Sequence, residues 1–369
     1  MVSHIAKRSV RKFNMVTFGA RPKSAYPLTY QLGQYAGVTQ GLNMNVLSLP
    51  ACKQVPPLGN FRGGLNVESF FSRKDKVVFV MGATGTGKSR LAIDLATCFD
   101  PAEIVNSDKM QVYKGLDIVT NKVTEEECRG VPHHLLGIVD PNSNFTSMDF
   151  RHHASVAVKS IVSKGSLPII AGGSNSYIEA LVNHDPEFQL RYECCFLWVD
   201  VSLPVLHSFV AERVDRMVQA GMVDEVKQMF DPKADYSRGI RRAIGVPEMD
   251  QYFRAESILD AKIRARLLET AISKIKENTC MLACRQLEKI DRLYNQWKWR
   301  MHRIDATEVF LKRGEEADEA WHRLVAGPST MIVDQFLYDD NRVASIIPSS
   351  DSTASTSSVP LTAVAAATR

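Results

Sequence analysis

Residues 77–89, VVFVMGATGTGKS, decide the fold of this chain. An apolar, largely β-branched run ending at Met81 meets a glycine-rich turn, and an amphipathic run follows from Lys88. The stretch matches the pattern G-x-x-x-x-G-K-[ST], set between a predicted strand and a predicted helix. In such a turn the backbone N–H groups and the positive end of the helix dipole favour a bound anion. The sequence therefore predicts a polyphosphate site in this loop.

The side chains of the loop have distinct predicted roles. Lys88 adds a full positive charge, and the hydroxyl of Ser89 can hold Mg²⁺. The predicted phosphate-binding residues are Gly82, Gly85, Thr86, Gly87, Lys88 and Ser89. The loop leaves the chemistry open, because phosphoryl transfer, phosphate-driven motion and displacement of a whole diphosphate would all use the same site.

The order of the predicted elements indicates an α/β fold. Predicted strands alternate with helices at about 88–98 and around 154–162, which makes successive βαβ units. The predicted strands are 77–81, 103–107, 167–171 and 195–201. Beyond about residue 204, where Pro204 can open a helix, the pattern is helical throughout. We predict a P-loop NTPase-like parallel sheet flanked by helices, with a C-terminal helical subdomain.

Charge is distributed unevenly along the chain. Residues 1–75 carry ten Lys/Arg and two acids, a net charge of +8, so the remainder is −4 although the whole chain is +4. The basic segment suits an organelle transit peptide for the plastid, with the mitochondrion as an alternative. A disordered arm on a cytoplasmic protein is the other possibility. The predicted divisions are a transit peptide or disordered arm at 1–73, a P-loop core at 74–203, a helical subdomain at 204–330 and a mostly disordered tail at 331–369.

Several kinds of site are disfavoured by composition. No apolar run approaches the roughly 20 residues that span a bilayer, so we expect no membrane partner. Seven scattered cysteines, an odd number, indicate reduced thiols. Adjacent His133 and His134 make a poor metal site because their side chains diverge, so a structural role, or a supporting role behind the site, is expected. Cys280 and Cys284 have no second ligand pair nearby, so a packing role is expected for them.

Two further loops follow predicted strands and complete the expected crevice. In parallel sheets the ligand lies at the carboxyl ends of the strands, where loops converge. The stretch NSDKMQVY places Asp108 after the second strand, and GGSNSY places Ser174 at a helix start. A carboxylate at Asp108 can act as a general base, bind Mg²⁺ or cap a helix, and position alone does not separate these roles.

Taken together, six blocks in order across about residues 77–290 resemble the isopentenyltransferase family. The blocks are GATGTGKS, NSDKMQVYKGLDIVTNK, VPHHLLG, FTSMDFRHHA, AGGSNSYIEAL and RRAIGVPE. Within the family, NSDK, TNK and GGSN look like the plant adenylate type rather than the tRNA type. The chain departs from the pattern at Ser174, where the tRNA branch has threonine, and at Val246, where many members have tyrosine.

The resemblance implies that the loop holds the diphosphate of dimethylallyl diphosphate and that the prenyl group passes to N6 of an adenine nucleotide. Asp108 would accept the N6 proton. Lys88, the loop amides and Mg²⁺ at Ser89 would neutralise the departing pyrophosphate. By family position, Thr84, Ser174 and Arg242 are also expected around the donor phosphates or the bridging oxygen.

The acceptor is less well defined by the sequence. Lys276 and Arg285, on a predicted late helix, either form a solvated face or bind acceptor phosphates, which would favour ATP or ADP over AMP. A tRNA dimethylallyltransferase is the closest rival but would need a basic face, whereas the part after residue 75 is net acidic. Less favoured are a P-loop small-molecule kinase and a nucleotide-binding protein without catalytic activity. The oligomeric state and the hydroxylation of the prenyl donor stay open.

Overall fold

Within residues 74–255, 260–296 and 298–344, which the computed structural model describes, six strands form one sheet. They are β1 Asp75–Gly82, β2 Ala102–Asn106, β3 His133–His134, β4 Leu167–Ala171, β5 Tyr192–Asp200 and β6 Met301–Asp305. Their order is β3-β2-β4-β1-β5-β6, and every neighbouring pair is parallel. The loops at their carboxyl ends therefore gather along one edge of the sheet.

Strand β1 lies near the centre of the sheet and is buried on both faces. Val77, Phe79 and Met81 belong to one apolar cluster, and Val78 and Val80 belong to the other. A strand covered by helices on both sides needs apolar residues at every position rather than at alternate ones. This explains why residues 77–81, before the glycine-rich loop, are all apolar.

Helices cover both faces. They are α1 Lys88–Cys98, α2 Glu125–Cys128, α3 Ser147–Ser163, α4 Asn175–His184, α5 Pro186–Arg191, α6 Leu203–Gln219, α7 Met222–Gln228, α8 Asp250–Ala255, α9 Ala261–Gln296, α10 Thr307–Leu311, α11 Glu315–Trp321 and α12 Gly327–Ala344. Residues of α3 and α4 join the cluster on one face, and residues of α1 and α12 join the other. The predicted α/β class, with its parallel sheet and helical C-terminal region, is confirmed.

Helix α9 spans 36 residues and contacts the loops that follow β1 and β4. Its buried residues are Ala271, Ile275, Thr279, Ala283, Gln286, Ile290 and Leu293. Apolar residues repeat about every four positions along this helix, and Ala271, Ile275 and Ile290 of this repeat are buried, whereas Ile263 is 41% exposed. Gln286 is a polar residue in this otherwise largely apolar buried row, and its side chain bonds to the loops after β1 and β4.

The predicted divisions differ from the structure at two places. Strand β6, although it follows the helical region, returns to the sheet and pairs with β5. Residues 331–344 continue α12 instead of beginning a tail, and Val333 is fully buried against the sheet cluster. Strand β3 has only two residues, and β6, with the sequence MHRID, has no two adjacent apolar residues, so neither shows a pattern that marks a buried strand.

The predicted arm at 1–73 and the part of the predicted tail after residue 344 lie outside the described residues. All described residues belong to one compact unit of the chain. Within them, no helix combines the length and the apolar character that a bilayer crossing requires.

Candidate active site

The glycine-rich loop connects β1 to α1 at the carboxyl edge of the sheet. Gly87 is the residue before α1 and adopts a left-handed conformation, with φ 90°. A Cβ there would lie 2.7 Å from the indole of Trp321, and a Cβ at Gly82 would lie 2.5 Å from the carbonyl oxygen of Val199. Both glycines are therefore required by close approach as well as by conformation.

Within this loop, Lys88 and Thr86 make different contacts. The Thr86 side chain is fully buried, and its hydroxyl donates to the Ala83 carbonyl oxygen at 3.0 Å. Lys88 Nζ donates to the same oxygen at 2.6 Å and lines a cavity of about 930 Å³. Burial lowers the pKa of Lys88 to about 8, with Asp108 raising it and Arg213 lowering it. Thr86 braces the loop, while Lys88 presents its charge to the cavity.

One cavity brings together most of the predicted site residues. Thr84, Gly85, Gly87, Lys88 and Ser89 line it on the side of the loop after β1. The other predicted residues that line it are Asp108, Ser174, Arg242 and Arg285. Three of the predicted residues do not line the cavity, namely Gly82, Thr86 and Lys276.

Asp108 follows β2 and faces this shared cavity. Its backbone N–H donates to Asn106 Oδ1 at 3.1 Å, and Asn106 Nδ2 donates to the Leu135 carbonyl oxygen at 3.0 Å. One carboxylate oxygen, Oδ1, accepts the N–H of Met110 at 2.8 Å. The other, Oδ2, lies 3.7 Å from the Cβ position of Gly173. Asp108 thus caps a turn with one oxygen and offers the second to the cavity, so the capping and chemical roles are compatible.

Ser174 joins two of the three loops. Its hydroxyl accepts the N–H of Lys109 at 2.9 Å, and its own N–H donates to the Ser107 carbonyl oxygen at 3.2 Å. These bonds hold the loop after β4 against the loop that carries Asp108. The Ser174 hydroxyl therefore positions the loop after β2 in addition to facing the cavity.

Arg213 is a site residue that the sequence did not reveal. It lies on α6, lines the cavity and donates from Nη2 to the Thr84 hydroxyl at 2.8 Å. Its Nε is buried without a hydrogen-bond partner, and burial lowers the pKa of its guanidinium while Asp108 raises it. On an amphipathic helix rich in charged residues, an arginine next to buried Val214 gives only a weak sequence signal.

Arg242 lines the same cavity as Arg213 but has different hydrogen-bond partners. It donates to the hydroxyl of Tyr113 at 3.4 Å and to the Gly239 carbonyl oxygen at 3.3 Å. Nearby, burial lowers the pKa of Lys109, and Lys289 and Arg242 lower it further, against the effect of Asp108. We call four further cations of the cavity lining the outer cations, and within this set Lys109 interacts electrostatically with Arg242 and Lys289. The members of this set are Lys109, Arg242, Arg285 and Lys289.

Lys276 is not one of the outer cations. Its ammonium pairs with Asp215 at 2.6 Å, and it does not line the cavity. Arg285, nine residues further along α9, is exposed and lines the cavity. The structure therefore places only one of the two cations predicted on this helix at the cavity.

The oxygen groups near the loop suit a magnesium ion bound together with a phosphate ligand. Mg²⁺ usually keeps several waters and takes one or two protein oxygens plus phosphate oxygens. Ser89 presents a hydroxyl and Asp108 a carboxylate to the same cavity. Among the described residues no group of three His, Cys, Asp or Glu side chains could hold a metal by itself. The donor set fits an ion held largely by its ligand.

The two histidines expected to be structural form β3. His134 Nε2 and Glu103 Oε2 lie 2.6 Å apart, and His133 Nδ1 lies 2.8 Å from the Val131 carbonyl oxygen. Glu103 also pairs with Lys164 at 3.1 Å. These contacts lie within the fold away from the cavity lining.

Comparison with known proteins gives matches over most of the chain. The family model described as IPP transferase matches residues 111–189 and 183–292. "Adenylate isopentenyltransferase 5, chloroplastic" of Arabidopsis thaliana is 69% identical over 299 residues, covering 79% of this chain and 90% of that protein. "Adenylate isopentenyltransferase 7, mitochondrial" of the same plant is 59% identical over 302 residues, covering 80% and 92%.

Solved structures share the fold at lower identity. A eukaryotic dimethylallyltransferase acting on tRNA gives a TM-score of 0.62 at 24% identity, covering 72% of this chain and 80% of that chain. The tRNA isopentenylpyrophosphate transferase of Bacillus halodurans gives a TM-score of 0.60 at 24% identity, covering 74% and 100%. These likenesses concern the arrangement of the sheet and its helices.

Proposed function

This chain belongs to the isopentenyltransferase family, and on that premise we propose that it transfers a dimethylallyl group from dimethylallyl diphosphate to N6 of adenine in a free nucleotide. The reaction releases pyrophosphate and serves cytokinin biosynthesis. Relatives named adenylate isopentenyltransferases, at 59–69% identity, support this choice. The single structural observation that carries it is that Asp108 and the phosphate loop line the same cavity.

The donor end of the cavity suits a diphosphate. Lys88, the loop amides and the helix start supply positive potential to the phosphates. Arg213 and the Thr84 hydroxyl, joined at 2.8 Å, supply further donors beside them. Because charge grows on the leaving group as the C1–O bond breaks, donors fixed in advance lower the barrier, and each contributes about 3 kcal/mol.

The proposed chemistry balances at two bonds. The N6 lone pair forms a bond to C1 of the prenyl group, and the C1–O pair of electrons leaves with pyrophosphate. The N6 proton passes to the free oxygen of Asp108, which is otherwise held by the Met110 N–H through its other oxygen. Adenine N6 is a weak nucleophile because its lone pair is delocalised, so removal of this proton matters for the attack.

Magnesium is the proposed cofactor, with Ser89 as its protein ligand beside the donor phosphates and the Asp108 carboxylate nearby. When bound, the ion would neutralise phosphate charge. Ser174 is proposed to act from the other side, since its hydroxyl fixes the loop that carries Asp108.

A free nucleotide is the proposed acceptor. The outer cations line the same cavity as Asp108, and they are proposed to bind the phosphates attached to the adenosine ribose when N6 faces Asp108. With Arg285 at the rim, this set favours ATP or ADP over AMP. The tRNA dimethylallyltransferases share the fold at 24% identity, whereas the 69% identical relative is named for an adenylate acceptor.

The test uses purified protein with dimethylallyl diphosphate and Mg²⁺, offered AMP, ADP, ATP or unmodified tRNA in parallel. We expect a nucleotide heavier by one dimethylallyl group, with pyrophosphate released in equal amount. ATP without the prenyl donor should give no ADP, which separates prenyl transfer from a kinase. Prenylated tRNA with unchanged nucleotides would contradict the proposal.

Delivery to the plastid is proposed for the basic segment at 1–73, with the mitochondrion as the alternative. The relatives include proteins named chloroplastic and mitochondrial. A fluorescent protein fused after residue 73 should enter one of these organelles, and a chain beginning at Ser72 should keep full activity in solution. Loss of catalysis on that truncation would contradict a purely targeting role.

A further inference from the structure

Gln286 is a buried polar residue whose side chain contacts two loops of the site. It lies on the apolar seam of α9 and is 7% exposed. Its Oε1 accepts the N–H of Thr84 at 2.7 Å, in the loop after β1. Its Nε2 donates to the carbonyl oxygen of Gly173 at 2.9 Å, in the loop after β4. A buried amide is stable when its groups are bonded in this way, and both bonds are made to backbone.

The surroundings of Gln286 are shaped for this bridge. A Cβ at Gly173 would lie 2.4 Å from Gln286 Nε2, so only glycine leaves room for the amide. Asn175 Nδ2 donates to the main-chain carbonyl oxygen of Gln286 at 2.9 Å. The loop after β4 is therefore attached to α9 through both the side chain and the backbone of one residue.

The bridge ends at groups that act on the reactants. Thr84, whose N–H is held by Gln286, accepts a hydrogen bond from Arg213 through its hydroxyl. Gly173, at the other end, lies beside Asp108 Oδ2. Because the Thr84 N–H is occupied by Gln286, Thr84 presents its hydroxyl rather than its amide to the donor.

We propose that Gln286 is a positioning residue that sets the spacing between the Thr84–Arg213 pair and Asp108. The inference rests on the proposed prenyl transfer, since these two groups would act on the leaving oxygen and on the N6 proton. Removing the two side-chain bonds would free the Thr84 N–H from α9 and loosen the loop after β1 relative to the loop after β4, which stays attached to α9 through Asn175. Misplacement of reacting groups by about 1 Å can cost on the order of 100-fold in rate.

The test is a double-mutant cycle of Gln286→Met with Thr84→Ala. Methionine matches the length of glutamine but makes neither hydrogen bond. We expect kcat to fall about 10- to 100-fold for Gln286→Met, with the Kd of dimethylallyl diphosphate changed much less. If Gln286 acts through Thr84, adding Gln286→Met to Thr84→Ala should lower kcat by less than about threefold more, because the effects of coupled residues do not add.

Gln286→Glu extends the cycle. A glutamate can still accept the Thr84 N–H, but an ionised carboxylate has no proton to donate to the Gly173 carbonyl oxygen. The kcat of Gln286→Glu should lie between those of the wild type and Gln286→Met. Ile290→Val, a buried change one turn along α9 that does not line the cavity, controls for loss of stability. We expect it to lower the midpoint of thermal unfolding while leaving kcat per folded protein unchanged.

An unchanged kcat in Gln286→Met, or losses that multiply fully in the double mutant, would overturn the positioning role while wild-type activity still supports the proposed function. A wild-type protein that forms no prenylated nucleotide would overturn the proposed function and this inference together. Should Gln286→Met fail to fold, the same cycle with Gln286→Glu gives the same decision.

Discussion

The two parts of the cavity that we propose for the donor and the acceptor are built in different ways. At the donor end, a contiguous loop is held by buried or half-buried groups: Thr86, Gln286 and Arg213 bond directly to it or within it. At the acceptor end, the outer cations come from three separate segments, and Arg242, Arg285 and Lys289 are exposed. Groups that are fixed in advance, as around the loop, suit transition-state stabilisation. Exposed cations suit recognition of acceptor nucleotides that differ in their number of phosphates.

Loss of the loop lysine should give the largest effect of the variants that test this contrast. We expect Lys88→Met to lower kcat/KM for dimethylallyl diphosphate about 100- to 1,000-fold, as for removal of one preorganised donor. The loss should be equal with AMP and ATP as acceptor, because Lys88 belongs to the donor end. Steady-state kinetics with both acceptors measures it, and a loss confined to ATP would place Lys88 at the wrong end.

Comparing substitutions at Arg213 and Arg242 tests whether one arginine serves the donor and the other the acceptor. Arg213→Lys keeps a charge but loses the planar donor geometry at Thr84, so kcat should fall about 10- to 100-fold. Arg242→Lys should mainly raise KM for the nucleotide. Equal changes in kcat for the two variants would instead place Arg242 at the donor phosphates, which is the role predicted from the sequence.

The pH dependence of donor binding tests the electrostatics of the buried end. Burial brings the pKa of Lys88 down to about 8, so the ammonium is charged at pH 7 and loses its proton as the pH rises through 8. Affinity for the donor should be level below pH 7 and about tenfold weaker at pH 9. Calorimetry can measure this, with Lys88→Arg as control, since arginine stays charged and should remove the decline.

The two α9 cations give the smallest expected effect. Arg285→Ala should raise KM for ATP about threefold and leave KM for AMP nearly unchanged, as expected for an exposed charge pair. Lys276→Ala is the matched control, because Lys276 pairs with Asp215 outside the cavity lining. Equal effects of Arg285→Ala on both nucleotides would show that Arg285 does not bind the β- and γ-phosphates, which AMP lacks.

The same contrast explains what could be predicted from the sequence. The donor loop is contiguous and its glycines are required by backbone geometry, so the motif reveals it. Asp108 and Ser174 could be found because parallel strands bring their carboxyl ends together. Arg213 and Gln286 could not, since each reaches the loop from a helix far along the chain and resembles an ordinary helical residue there. Lys276 and Arg285 look alike in sequence, and only the helix orientation separates them.

Asp108 joins the two ends, and replacing it tests the central claim most directly. We predict that Asp108→Asn lowers kcat for prenyl transfer by about 100- to 10,000-fold, as expected for loss of a general base, while the Kd of dimethylallyl diphosphate stays within a few-fold of wild type. Measuring both on one preparation decides the matter. Prenyl transfer near the wild-type rate would contradict the role of Asp108 as the base that accepts the N6 proton.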